Sequence, residues 1–201
     1  MRYERKFKLN EFDIAPIISK FISQGIEEIF PARYISSIYY DTPDFYLYRI
    51  SESGYSNRFK IRIRWYDENP ELKLEYKIKN GEVGEKEITE INNNESKNKT
   101  VKVFLPFKEN IYISKIPESI NTIYFPVLCV NYKRKYFATK CRNIRYTLDY
   151  SIKFSRINYA KDHFIFNNWI PSREGVLEVK YDQSFENSNP YIQNNLEGFK
   201  L

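Results

Sequence analysis

The sequence predicts a mostly β domain of seven or eight strands with a few helices, and three observations lead there. Several segments alternate charged with apolar residues, the period of two that sends successive strand side chains to opposite faces. Arg58-Phe59-Lys60-Ile61-Arg62-Ile63-Arg64-Trp65 is the clearest, and Lys73-Leu74-Glu75-Tyr76-Lys77-Ile78-Lys79 repeats it. The 18 Tyr and 15 Phe bring the aromatic share to 17%, and both residue types favour strands. No internal repeat and no linker divides the 201 residues, so one domain spanning 1–201 is expected. That many amphipathic strands suggest a closed barrel.

Taken in order, residues 2–9 read as a strand. Asn10 is a candidate N-cap for a helix from about Glu11 to Phe30. Pro16 delays or kinks that helix, Ile17, Ile18, Phe21, Ile22 and Ile26 give it an apolar face, and Pro31 stops it. Residues 35–40 form a second strand, ended by the turn signal Asp41-Thr42-Pro43-Asp44. A short helical or irregular piece over about 45–52 ends at Gly54. Strands at 57–66 and 72–79 flank Asp67-Glu68-Asn69-Pro70. Asn80-Gly81 is a hairpin signal, with the partner strand starting near Glu85. Residues 92–100 form a polar loop or the start of a helix, and 101–122 read as short helices broken by Pro106 and Pro117. Strands resume at about 125–138 and 143–150, the second running on through 155. Residues 157–168 fit no single template. A last strand covers 175–181, and a helix is expected after Pro190.

The 32 basic against 26 acidic residues give a formal charge of +6, which points to an anionic partner. Cys129 and Cys141 lack metal-ligand spacing and read as a reduced pair. The charged start, Met1 to Lys8, is unlike a signal peptide. No apolar run approaches the ~20 residues a membrane helix needs, so a cytoplasmic protein is expected. No nucleic-acid signature is visible. No glycine-rich phosphate loop occurs, and His163, the one histidine, stands without partners at ligand spacing.

Arg58, Lys60, Arg62 and Arg64 share one strand face. Four like charges there need water or an anion. A solvated outer wall is the plain alternative, since charged-out and apolar-in is a common strand design. An anion-binding wall is the functional one, because the Arg fork donates bidentately to phosphate oxygens and keeps its charge when desolvated. Glu4 with Lys6, Glu75 with Lys77, and Glu178 with Lys180 repeat one i, i+2 spacing. Each could be an exposed ion pair worth about 0–1 kcal/mol. Repeated on three strands beside the Arg stripe, they suit a divalent metal held on a polyphosphate by hard carboxylate oxygens. Tyr132 shares a face with Arg134, and Arg145 shares one with Thr147 and Asp149.

Seven motifs occur in order: Tyr3-Glu4-Arg5-Lys6-Phe7, Ile38-Tyr39-Tyr40-Asp41-Thr42-Pro43, Lys60-Ile61-Arg62-Ile63-Arg64-Trp65-Tyr66, Leu74-Glu75-Tyr76-Lys77-Ile78-Lys79, Tyr132-Lys133-Arg134-Lys135-Tyr136-Phe137, Arg145-Tyr146-Thr147-Leu148-Asp149 and Leu177-Glu178-Val179-Lys180-Tyr181. Together, over residues 2 to about 182, they resemble the VTC domain of polyphosphate polymerases. That domain is a branch of the CYTH-like triphosphate tunnel metalloenzymes. The resemblance implies a closed eight-stranded antiparallel barrel with a basic interior. It implies tunnel cations at Lys6, Arg62, Arg64, Lys77, Arg134 and Arg145, with Lys60, Lys86 and Lys180 as further phosphate ligands and Tyr132 as a hydrogen-bond donor. Mn²⁺ or Mg²⁺ would sit on Glu178, with Glu4 as second choice. The first strand reads Arg2-x-Glu4-x-Lys6, where many tunnel enzymes have Glu-x-Glu-x-Lys, which favours the polymerase branch. Family members finish with a helix and a Ser-Lys-Tyr motif. This chain stops at Leu201 without them, which implies a truncated chain or a site with one ligand fewer. The expected activity is transfer of the γ-phosphoryl of ATP to polyphosphate. The alternatives are hydrolysis of triphosphate or polyphosphate on the same fold, and a polyphosphate-binding module without turnover.

Overall fold

The computed structural model of the chain describes residues 2–67, 71–80, 83–90, 101–103, 111–113, 123–159 and 164–182. The polar loop at 92–100, the tip of the 80–83 hairpin, His163 and the helix expected after Pro190 lie outside them. The described residues form a mainly antiparallel β protein with two α-helices. The strands are β1 (Arg2–Asn10), β2 (Glu27–Asp41), β3 (Asn57–Tyr66), β4 (Lys73–Asn80), β5 (Val83–Glu90), β6 (Val101–Val103), β7 (Ile111–Ile113), β8 (Ile123–Ala138), β9 (Ile144–Tyr159), β10 (Phe164–Pro171) and β11 (Glu174–Asp182). The helices are α1 (Ile14–Ser23) and α2 (Tyr46–Glu52). Hydrogen-bonded neighbours run in the order β1-β11-β9-β8-β2-β3-β4-β5, with β10 on β9, and β6 on both β7 and β8. The order begins at β1 and ends at β5, so among the described residues hydrogen bonds do not close the sheet into the expected barrel.

The chain divides into two compact units, 1–35, 131–153 and 171–201 in one, 36–130 and 154–170 in the other. The dividing positions fall inside β2, β8, β9 and β10.

In the first unit, α1 is shorter than the expected helix, and its ends explain why. A 3₁₀ turn over Glu11–Asp13 precedes it, and the Asp13 carboxylate accepts the Asn10 backbone N–H at 3.1 Å. Pro16 sits in the first turn of α1, where its missing N–H removes no intrahelical bond. The helix stops at Gly25, not at Pro31. Gly25 takes φ +69° and donates to the Ile22 carbonyl, while Ile26 donates to the Phe21 carbonyl at 2.9 Å. That pairing is a Schellman motif, which requires a left-handed residue that glycine adopts without strain. Phe21 and Ile26 then enter one core with Phe7, Leu9, Ile17, Phe137, Tyr146, Leu148 and Leu177. Phe21 stacks edge-on to Phe137 with centroids 5.2 Å apart. Burying each such side chain contributes about 1.5–3 kcal/mol. Pro31 lies in β2.

In the second unit, Phe59, Ile61, Ile63, Leu74, Tyr76, Ile38, Tyr40 and Tyr124 form the core, closed at one side by Leu47 and Ile50 of α2. The turn signal at 41–44 does more than reverse the chain. Asp41 is buried. Its Oδ1 accepts the backbone N–H groups of Thr42 and Leu47, and its Oδ2 that of Tyr48, at 2.8–2.9 Å. Thr42 Oγ1 accepts the N–H of Tyr46 at 2.9 Å. The first turn of α2 is thus satisfied by side chains that precede it. Gly54, at φ +68°, ends the helix with a second Schellman pairing, Tyr55 to Ile50 and Gly54 to Ser51. Residues 101–122, expected as short helices, contain two three-residue strands among the described positions. The ambiguous 157–168 stretch holds the end of β9 and the start of β10.

Candidate functional site

The alternation in β3 works as the sequence suggests. Phe59, Ile61 and Ile63 are buried in the core, which turns Arg58, Lys60, Arg62 and Arg64 to the other face. Register then decides which charges meet. Lys60 lies directly opposite Lys77 of β4, and Lys77 lies directly opposite Lys86 of β5. Direct partners share a face, so three lysines form one row across three strands. Like charges placed opposite each other destabilise a sheet.

One residue along, Arg62 faces Glu75. Glu75 is buried and gathers three cations. Its Oε2 accepts from Arg62 Nε at 2.6 Å, its Oε1 accepts from Lys86 Nζ at 2.8 Å, and Arg64 Nη1 stands 3.7 Å away. Lys77, the partner that the i, i+2 spacing suggested for Glu75, is not among them; it occupies the lysine row. Arg62 Nη1 also donates to the Tyr39 hydroxyl at 3.3 Å, and Arg64 Nε to Ser37 Oγ at 3.2 Å. Burial alone would push Glu75 up, but Arg62, Lys86 and Arg64 overcome it and hold its carboxyl below the ordinary range. Burial likewise opposes the charge on Arg62, and Tyr39 and Glu75 more than offset it. Tyr39 is drawn down, its burial outweighed by Arg62, Arg64 and Lys60. Among the described residues the face therefore carries more cations than carboxylates, and the buried Glu75 is committed to internal pairs.

The first unit holds a second cluster of different composition. Glu4 faces Lys180, which faces Arg145; Lys6 faces Glu178, which faces Thr147. Lys6 Nζ bridges Glu4 Oε1 and Glu178 Oε2, each at 3.2 Å. Lys180 Nζ bridges the same carboxylates, at 3.4 and 2.7 Å. Two acids and two ammonium groups thus form a closed square in which Glu178 is the buried corner. Burial would raise Glu178, and Lys180, Lys6 and Arg134 bring it below the ordinary range. Lys6 moves up: desolvation works against its charge, and Glu178 and Glu4 prevail. Arg134 forks onto Asp149, with Nη2 to Oδ2 at 2.6 Å, and its guanidinium lies 5.3 Å from the centroid of the buried Tyr132 ring. This pair fixes the planar donor group in place.

Lys6, Arg134, Arg145, Tyr132, Lys180, Glu178 and Glu4 thus gather in the first unit, and Arg62, Arg64, Lys77, Lys60 and Lys86 in the second. Two acceptors carry more than their motifs announced. Asp149 shared a face with Arg145 in the sequence, yet it is Arg134, on the neighbouring strand, that it holds. Glu75 paired by spacing with Lys77, and takes Arg62 and Lys86 instead. Only strand register shows either. Among the described residues no group of three or more His, Cys, Asp and Glu side chains could hold a metal ion. No helix there is long and apolar enough to cross a membrane.

A family model of the VTC domain matches residues 1–199. No curated protein matches the chain. A Bacillus halodurans protein proposed to be an adenylate cyclase aligns with TM-score 0.56 at 14% identity, covering 98% of this chain and 88% of that one. A Pyrococcus horikoshii protein aligns with TM-score 0.46 at 16% identity over 98% of this chain and 92% of its own. A Hippeastrum protein, proposed to be an adenylyl cyclase and described as having a dominant triphosphatase activity, gives 0.45 at 14% identity over 98% and 85%. At 14% identity, the likeness to the Bacillus halodurans protein concerns the fold.

Proposed function

Because this chain belongs to the VTC-domain family, we propose that it is a polyphosphate polymerase that moves the γ-phosphoryl group of ATP onto a polyphosphate chain. The observation that carries this reading is the Lys60-Lys77-Lys86 row. Register sets these three lysines on one face, with Lys86 also paired to Glu75, and the strip of positive charge suits a row of phosphates. A polyanion laid along them replaces mutual repulsion with charge-assisted hydrogen bonds. Arg62 and Arg64, fixed by Glu75, Tyr39 and Ser37, supply the fork donors beside the row.

In the reaction, a terminal phosphate oxygen of the acceptor attacks the γ-phosphorus of ATP. The bond from that phosphorus to the β-γ bridging oxygen breaks, and ADP leaves with the electron pair. The acceptor is already a nucleophile, so no general base is required. The protein contributes position and positive charge, which is most of what phosphoryl transfer asks of it. Glu4 and Glu178 fit a divalent cation in chemistry. Both reach the same two ammonium groups, so their oxygens converge on a shared positive charge. Hard oxygens suit Mn²⁺ or Mg²⁺, which Glu178 and Glu4 would hold. When bound, such an ion would neutralise charge on phosphate oxygens.

The test is incubation with ATP and Mn²⁺ followed by sizing of the product. Polymer growing from ATP alone supports synthesis; free phosphate without polymer assigns hydrolysis instead, and no ADP at all leaves a binding module. Lys77→Ala tests the row itself. Triphosphate affinity should fall about tenfold, while folding stability in denaturant should hold or rise by up to about 0.5 kcal/mol as the repulsion goes. A variant that loses stability and keeps its affinity would assign Lys77 to the scaffold.

A further inference from the structure

Beside the lysine row, the second unit contains a cleft of about 950 Å³, mainly apolar and wide enough for a small molecule. Lys60 belongs to both: it stands in the row and lines the cleft. Phe45, Tyr48 and Ile170 line it too, and all three are large apolar side chains left exposed. Arg156 and Arg49 add two further cations to the wall, Arg49 being paired with Asp44, and Asp41 and Glu52 are the other acids that line it. Phe45 is further marked by its backbone. Its φ of +57° lies in the left-handed region, which a bulky side chain adopts at a cost and which clusters at ligand sites.

We propose that this cleft takes the nucleoside of a nucleoside triphosphate whose phosphates lie along Lys60, Lys77 and Lys86. The inference rests on the phosphate-binding reading above and names the residues that would hold the rest of the nucleotide. The aromatic faces of Tyr48 and Phe45 suit a flat heterocycle, and Lys60 marks where the apolar wall gives way to the phosphate rail. Stacking of this kind is tolerant, because every base presents a π-face. The four common ribonucleoside triphosphates should therefore bind within a few-fold of one another.

The experiment titrates ATP and inorganic triphosphate calorimetrically into the intact protein and into Tyr48→Ala/Ile170→Ala. Both side chains are exposed, at 61% and 66%, so their removal spares the core. ATP affinity should fall roughly tenfold in the variant, the scale of one lost stacking contact, while triphosphate affinity stays. Equal affinity for ATP before and after the change, or equal loss for both ligands, overturns the cleft as a nucleoside site and leaves the lysine row standing. Failure of the unaltered protein to bind either ligand removes the row, and the cleft proposal with it.

Discussion

Glu75 is the side chain on which the charged face of the second unit turns. It holds Arg62 and Lys86 by hydrogen bonds and draws Arg64 close. Its carboxyl is held below the ordinary glutamate value of 4.5. A carboxylate depressed in the folded state stabilises the protein above its unfolded value, and that contribution is lost as pH falls through the folded one. Glu178 moves in the same direction. Acid titration followed by circular dichroism should therefore show stability declining below about pH 4.5, with Glu75→Gln losing less on acidification than the parent. At neutral pH the same variant should be less stable by about 3 kcal/mol, because removing one partner leaves the others uncompensated. Added triphosphate should restore part of that loss, since a second anion can take the vacated role. A denaturant series with and without triphosphate reads both effects.

At the scale of elements, what was legible followed from period and what was not followed from end chemistry. The stripe Arg58-Lys60-Arg62-Arg64 was readable because strand alternation depends on nothing beyond the strand. The length of α1 was misjudged because Pro31 looked like the stop. The actual signal, Gly25 followed by the apolar Ile26, was in plain view but needs the pairing with Phe21 to be recognised. Asp41 gave the opposite lesson. Its position in a turn signal was clear, and its acceptance of the Leu47 and Tyr48 backbone N–H groups at the head of α2 was not. Which lysine meets which could not be read either, because cross-strand register rests on partners far apart in the chain. The Asp41 contacts carry a prediction of their own. Asp41→Ala should lower stability by about 2 kcal/mol, the upper range for a lost helix cap. Amide exchange should localise the loosening to residues 46–48, and exchange rates unchanged there would assign the cost to burial alone.

For the whole chain, the excess of basic residues sets how it meets its partner. A formal charge of +6 and the lysine and arginine cluster of each unit favour approach of a polyanion through the long-range field. Screening shortens that field from about 10 Å at 0.1 M salt to about 3 Å at 1 M. Triphosphate binding should weaken at least about tenfold across that range. Affinity indifferent to salt would mean that the ligand is held mainly by uncharged contacts.

The pairing of β1 with β11 sets a schedule for synthesis. The hydrogen-bonding partner of β1 is translated more than 160 residues after it. At ordinary elongation rates that interval is roughly 10–30 s. For all of it, an edge bearing Tyr3, Phe7 and Leu9 stands open, and it is in that interval that the nascent polypeptide should be most prone to aggregate.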